Sequence, residues 1–178
     1  MKINKQILIG THNDGKFREI SKLLSNKFKK ISPKTLNIKA PKETGKTFKS
    51  NSELKANYFF KKSKIVSLSD DSGLEISALD NQPGIYSARW AKKHGNFKKA
   101  MKNILKSIKT NKNRKAKFIC SLSIKLDYEK IVTVIGKIQG KISYKILGTK
   151  GFGYDPIFIP DRSSVTFGQM NISKKMKI

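Results

Sequence analysis

The run Gly10-Thr11-His12-Asn13-Asp14-Gly15-Lys16 lies between an apolar stretch and an amphipathic one, and residues of these types can hold an anion. Backbone N–H groups at a helix start, the helix dipole and a lysine all favour negative charge. The run matches the first seven positions of a Walker A loop, but Phe17 stands where that loop needs Ser or Thr for the metal. A standard P-loop ATPase therefore does not fit, and a plain strand-to-helix turn using Gly and Asn explains the same residues about as well. A second candidate is Ser69-Asp70-Asp71-Ser72-Gly73 at the end of an apolar run. Two adjacent buried carboxylates need a cation or hydrogen-bond donors to compensate them. Side chains alternate along a strand, so one aspartate faces a ligand while the other braces the turn. The bland reading is an Asx-type turn. A third stretch, Lys150-Gly151-Phe152-Gly153-Tyr154-Asp155-Pro156, joins glycines that admit a ligand close to the backbone with aromatics able to stack on a base. Taken singly, such a loop is as well explained by core packing.

Regular elements must position these residues. The pattern predicts a strand over 3–9 and a helix over 16–28, where Phe17, Ile20, Leu23, Leu24 and Phe28 recur at helical spacing. A second helix is expected over 47–64, then a strand over 65–69 and a turn over 70–73. Phe97, Ala100, Met101, Ile104, Leu105 and Ile108 form one stripe of a third helix over 96–109. Phe118, Cys120, Leu122, Ile124 and Leu126 alternate as the inward face of a half-buried strand, which Asp127-Tyr128-Glu129-Lys130 turns into another over 131–138. Residues 148–160 read as an ordered loop with a short strand. Interleaved helices and strands predict an α/β fold with a mixed sheet.

The 178 residues suffice for a single domain, perceptible at most as two lobes of one body. No apolar run reaches the roughly 20 residues of a membrane span, and the first residues carry no leader pattern. The single cysteine, Cys120, rules out an internal disulfide and a thiolate metal cage within the chain, and fits a cytoplasmic location. A formal charge of +27 points towards a polyanionic partner. Only Arg18, Arg89, Arg114 and Arg162 are arginines, however, and the lysines are spread along the whole chain. Arginine is the residue suited to bidentate phosphate and base reading, so a solvated lysine coat is preferred to a nucleic-acid surface.

Six collinear blocks change the weight of the single motifs. Residues 11–16 (Thr-His-Asn-Asp-Gly-Lys), 43–48 (Glu-Thr-Gly-Lys-Thr-Phe), Asn51 with Leu54-Lys55-Ala56, 69–74 (Ser-Asp-Asp-Ser-Gly-Leu), 83–89 (Pro-Gly-Ile-Tyr-Ser-Ala-Arg) and 151–158 (Gly-Phe-Gly-Tyr-Asp-Pro-Ile-Phe) closely resemble the inosine triphosphate pyrophosphatase family. The resemblance implies an elongated α/β fold of two lobes with a mixed sheet and a nucleotide cleft between them, a homodimer, and magnesium-dependent hydrolysis of ITP, dITP and XTP to the monophosphate and pyrophosphate. By position, Thr11, His12, Asn13, Asp14, Gly15 and Lys16 would hold the triphosphate. Asp71 would be metal ligand and general base, Glu43 a further metal ligand, and Ser72 a substrate contact. Phe152, Gly153, Tyr154 and Asp155 would embrace the purine, and Lys175 would contact the nucleotide.

The sequence departs from the family pattern in three places. His12 replaces a small residue in the first block, where it would crowd the phosphate loop or add a donor. Lys42 and Ser50 stand where acids that assist magnesium are common, which implies weaker metal binding. After Phe167-Gly168-Gln169-Met170, the run 173–178 resembles the lead-in to a Ser-His-Arg block that does not follow, and we read this as a truncation. An inactive or repurposed basic nucleotide- or nucleic-acid-binding protein is the competing expectation.

Overall fold

The computed structural model describes residues 6–178. The strands are β1 (Gln6–Ile9), β2 (Lys29–Ile31), β3 (Ser67–Ile76), β4 (Gln82–Pro83), β5 (Lys115–Lys125), β6 (Ile131–Ile142) and β7 (Phe158–Pro160). The α-helices are α1 (Asp14–Leu23), α2 (Phe48–Ser63), α3 (Ser87–Lys93), α4 (Phe97–Ser107) and α5 (Ile172–Lys175), with several 3₁₀ turns between them. The strands order as β2-β1-β3-β5-β6-β7, with β4 added to β3. β1 is parallel to both β2 and β3, while β4 and β7 pair antiparallel, so the sheet is mixed as expected. The part of the first expected strand before Gln6 lies outside the described residues.

Local chemistry sets the element ends. Asn13 caps α1 by accepting from the Lys16 amide, which starts the helix two residues before the apolar stripe suggested. The helix also stops short of Phe28. Ser25 Oγ accepts from the Lys27 amide, and the Phe28 amide turns back to the Ser25 carbonyl. Such side-chain to backbone bonds compete with helix, and the chain then enters β2. In α2, Thr47 and Ser50 form a reciprocal capping box. Lys64, in the left-handed conformation, ends the helix as its C-cap, so the expected bounds hold to within a residue. α4 begins on the Asn96 cap and carries the expected stripe, with Ala100, Met101 and Ile104 buried.

Two expectations are corrected. The turn expected at Asp70-Asp71-Ser72-Gly73 is absent: β3 runs straight through it, paired with β1 at Ser67 and Leu68 and with β4 at Glu75 and Ile76. Neighbours along the strand hold the segment extended, and Gly73 serves close packing instead. A Cβ there would overlap the Gly84 carbonyl and the Ser87 hydroxyl. In β5 the more deeply buried residues are Ala116, Ile119, Ser121, Ser123 and Lys125, whereas Phe118, Cys120, Leu122 and Ile124 of the expected face are only half-buried. The serines are satisfied inside, because Ser52 Oγ on α2 lies 2.9 Å from Ser121 Oγ and 2.7 Å from Ser123 Oγ. Hydrophobic alternation misassigns a strand whose polar face is hydrogen-bonded within the fold.

The chain divides into two compact units. The first holds the described residues through Asp71 together with Cys120–Ile135, and the second holds Ser72–Ile119 and Gly136–Ile178. The second unit has a continuous apolar core of Leu74, Ile76, Ile104, Ile108, Ile142, Ile157, Phe158 and Phe167, among others. The first unit buries Leu8, Ile9, Ala56 and Phe59, but also Asn51, Ser52, Asp70, Asp71, Ser121 and Ser123.

Candidate active site

The first unit brings together the loop before α1, the start of α2 and the middle of β3. Gly10 closes β1, and its amide donates to Leu68 O at 2.7 Å. A Cβ at Gly10 would overlap Ser69 Oγ and the Phe59 ring, so the loop lies directly on β3 and α2. Thr11 Oγ1 accepts from the Asn13 amide at 3.2 Å, and Asn13 Oδ1 accepts from the Lys16 amide at 3.1 Å. These bonds fix the turn and leave the Asp14 and Gly15 amides as first-turn donors without an i−4 partner. Lys16 Nζ donates to Asp70 Oδ2 at 2.7 Å, with both side chains largely buried. Burial alone would lower the Lys16 pKa, but Asp70, with Asp71 beside it, contributes in the opposite direction, and the ammonium is held above its ordinary value.

The other residues of this block behave differently. Asp14 is exposed and paired with Lys34 at 2.6 Å, which lowers its pKa, so only its amide is available to an anion. His12 is exposed, with Nε2 3.0 Å from Ile38 O. That nitrogen is thus engaged with the segment following β2.

Asp71 has partners quite distinct from those of Asp70. Asn51 Nδ2 donates to Asp71 Oδ2 at 3.1 Å, and Asn51 Oδ1 accepts from the Gly45 amide at 2.8 Å. Asn51, fully buried, therefore ties the Glu43-Thr44-Gly45 segment to β3. Lys55, one turn further along α2, places Nζ 2.7 Å from Glu43 Oε1 and 3.7 Å from Asp71 Oδ1. Burial raises the pKa of Asp71; Lys55 opposes this and Glu43 reinforces it. A raised carboxylate is a stronger base, the direction a proton acceptor needs.

Glu43 and Asp71 thus share one cation, and their hard oxygen donors suit a divalent ion such as magnesium. Among the described residues no group of three or more His, Cys, Asp or Glu could hold a metal. Two carboxylates supplemented by ligand phosphates are the usual magnesium arrangement, so the residues fit an ion that arrives with a phosphate ligand. Ser50 is occupied by the capping box and Lys42 is exposed, so neither adds a carboxylate to Glu43 and Asp71. Cys120 on β5 feels Asp70, Lys16 and Asp71, and burial pushes its thiol up to about 12.

The second unit carries the aromatic loop. Gly151 has φ 75°, and a Cβ there would overlap the Asp155 carboxylate. Asp155 Oδ2 accepts from the Phe152 amide at 2.9 Å and from Lys175 Nζ at 2.8 Å. The same ammonium lies 4.8 Å from the centre of the Phe152 ring and 5.2 Å from that of Phe167. Phe152, Asp155 and Lys175 are therefore one cluster, although 20 residues separate the charged pair. Tyr154 belongs to the core instead. It is 2% exposed, donates to the Ser87 carbonyl at 3.0 Å and meets Phe97 edge-on. It supports the loop from beneath, and its ring has no open face for a base. Gly153 is also left-handed, with φ 63°. Ser72 is half-buried in β3.

Residues 7–178 match the Ham1 family. The chain belongs to that family. It is 38% identical over 172 residues to the dITP/XTP pyrophosphatase of Caulobacter vibrioides, covering 96% of this chain and 89% of the relative. The Ham1 protein of Staphylococcus aureus superposes with a TM-score of 0.84 at 31% identity, covering 97% of this chain and 90% of that one. The HAM1 protein of Coxiella burnetii gives 0.86 at 29% identity, with the same two coverages. Family membership and fold agree with the six sequence blocks. Asn51, Lys55 and Asp70 stood in those blocks without an assigned role. A usable signal for the first two was their spacing of four, which puts both on one face of α2.

Proposed function

We propose that the protein hydrolyses non-standard purine nucleoside triphosphates, ITP, dITP and XTP, to the monophosphate and pyrophosphate. The observation that supports this most is the convergence, within one unit, of an anion-receptive loop ending in Lys16 with the Asp71 carboxylate. Lys16 pairs with Asp70, the immediate neighbour of Asp71 on β3. The Caulobacter vibrioides relative, by its name, acts on dITP and XTP.

In this reading the Asp14 and Gly15 amides and Lys16 bind the triphosphate. Glu43 and Asp71 would hold magnesium, which when bound neutralises phosphate charge. Asp71 accepts a proton from water as the water oxygen bonds to the α-phosphorus. The bond from that phosphorus to the α,β-bridging oxygen breaks, and pyrophosphate leaves with the electron pair. Positioning and charge stabilisation are the main contributions required for such a transfer. Phe152 stacks on the purine, and Asp155 with Lys175 provides polar groups at its edge. A 6-oxo purine is preferred where adenine would leave a buried polar group unpaired.

The homodimer and the cytoplasmic location belong to the same reading. Val132 and Val134 on β6 are 44% and 61% exposed, which favours a covered strand in an assembly. No helix among the described residues is long and apolar enough to cross a membrane. Purified protein with magnesium, offered ITP, XTP, dTTP and ATP, should release pyrophosphate from the first two. Activity confined to dTTP, or salt-sensitive binding of random duplex DNA with no turnover, would replace this reading with another; sedimentation at graded protein concentration reports the dimer.

A further inference from the structure

We infer that Lys55 is a built-in counter-ion of the Glu43 and Asp71 carboxylates, which a divalent cation must displace, so that metal binds weakly until a triphosphate offers the ammonium a new partner. This rests on the proposed site, but it concerns metal admission and not turnover. The geometry is specific to Lys55. Its Nζ lies 2.7 Å from Glu43 Oε1 and 3.7 Å from Asp71 Oδ1, and its side chain is only 12% exposed. Lys16, another cation in this region, is held by Asp70 at 2.7 Å.

The backbone beneath Lys55 is fixed. Thr47 and Ser50 cap α2, and Asn51 anchors its first turns to Gly45 and Asp71. Adjustment therefore falls on the lysine's flexible four-carbon stem, which carries a compact and strongly hydrated charge. With Lys55 paired to both carboxylates, a bare divalent ion must compete with a neighbouring ammonium for their oxygens. A triphosphate reverses that balance, because it supplies oxygens to the ion and anionic partners to Lys55. By thermodynamic reciprocity, whatever factor the nucleotide adds to metal affinity, the metal adds to nucleotide affinity.

The test is a Mn²⁺ titration of the full chain without nucleotide, by calorimetry or electron paramagnetic resonance. Lys55→Gln should bind Mn²⁺ about tenfold or more tightly than the unmodified protein, a factor typical of coupled sites. Lys55→Arg keeps the charge and should match the unmodified protein. Lys49→Gln removes a positive charge from the same helix, at a side chain paired with Glu53 at 3.9 Å, and should change affinity by no more than about twofold. Equal or weaker Mn²⁺ binding by Lys55→Gln overturns the inference, as does an equal gain in Lys49→Gln. If Lys55→Gln fails to fold, lysine ε-methylene resonances of the unmodified protein replace it. Saturating Mg²⁺ should move the signal that disappears in Lys55→Arg, and an unmoved signal overturns the inference. Failure to release pyrophosphate from ITP would sink the functional reading instead, and the two failures are read in separate experiments.

Discussion

The two units support their candidate ligand groups differently. In the first, the candidate phosphate and metal residues are buried or half-buried charges tied to one another and to Asn51: Lys16 to Asp70, Lys55 to Glu43 and Asp71, and Asn51 to Asp71. In the second, a continuous apolar core supports a surface loop, and Tyr154 is spent as the prop beneath Phe152, Asp155 and Lys175. Buried charges are expensive to desolvate and are tolerated where they are paired. The first unit thus stores its reactive groups as ion pairs that a ligand must rearrange. The aromatic half is arranged beforehand by packing and by the Asp155 clamp. Loss of a residue should accordingly damage the rate in the first unit and the affinity in the second.

Asp71→Asn is the severest way to sharpen that contrast. It should lower kcat for ITP by roughly 10²- to 10⁴-fold, the range for a lost general base, with the melting temperature little changed. Near-normal kcat would remove Asp71 from the base position. Lys16→Met should lower kcat/KM by about 10²- to 10³-fold, as expected for one lost charge-stabilising donor, measured under the same conditions. A change confined to KM would make Lys16 an anchor only.

Phe152→Ala tests the other side. Loss of one stacking partner, about 1–3 kcal/mol, should raise KM for ITP roughly ten- to a hundredfold and leave kcat within a few-fold. A collapse of kcat with unchanged KM would break the contrast between the units. Gly10→Ala probes the packing of the loop on β3: overlap with Ser69 and Phe59 should destabilise the fold by about 1–3 kcal/mol in denaturant titration.

The smallest effect expected is chemical. Because burial raises the Cys120 pKa to about 12 from an ordinary 9.0, its thiolate is a minor species throughout the neutral range. Alkylation by iodoacetamide at pH 8 should be slower than for a free thiol, and should rise to the free rate on unfolding. Equal rates in folded and unfolded protein would show that the thiol is not shielded.

Much of this was legible in the residues, for identifiable reasons. The expected bounds of α2 hold to within a residue, and the reciprocal cap of Thr47 with Ser50 makes its start a matter of local chemistry. The turn at 70–73 was misread because Asp-Ser-Gly favours turns in isolation, whereas here β1 and β4 pair with β3 and hold it extended. The buried face of β5 was misread because Ser121 and Ser123 find a partner in Ser52, about seventy residues earlier in the chain. Separation in sequence also hid the division of labour between Asp70 and Asp71, since Lys16 lies 54 residues before the aspartate it pairs with. Their partners, Lys16 and Lys55, are named only by the fold, and so is the assignment of Tyr154 to the core.

Hydrolysis of ITP in oxygen-18 water, followed by mass analysis of both products, tests the central chemistry most directly. Delivery of water by Asp71 to the α-phosphorus puts the label in the monophosphate and leaves the pyrophosphate unlabelled. Label in pyrophosphate, or release of orthophosphate with a diphosphate product, would contradict it.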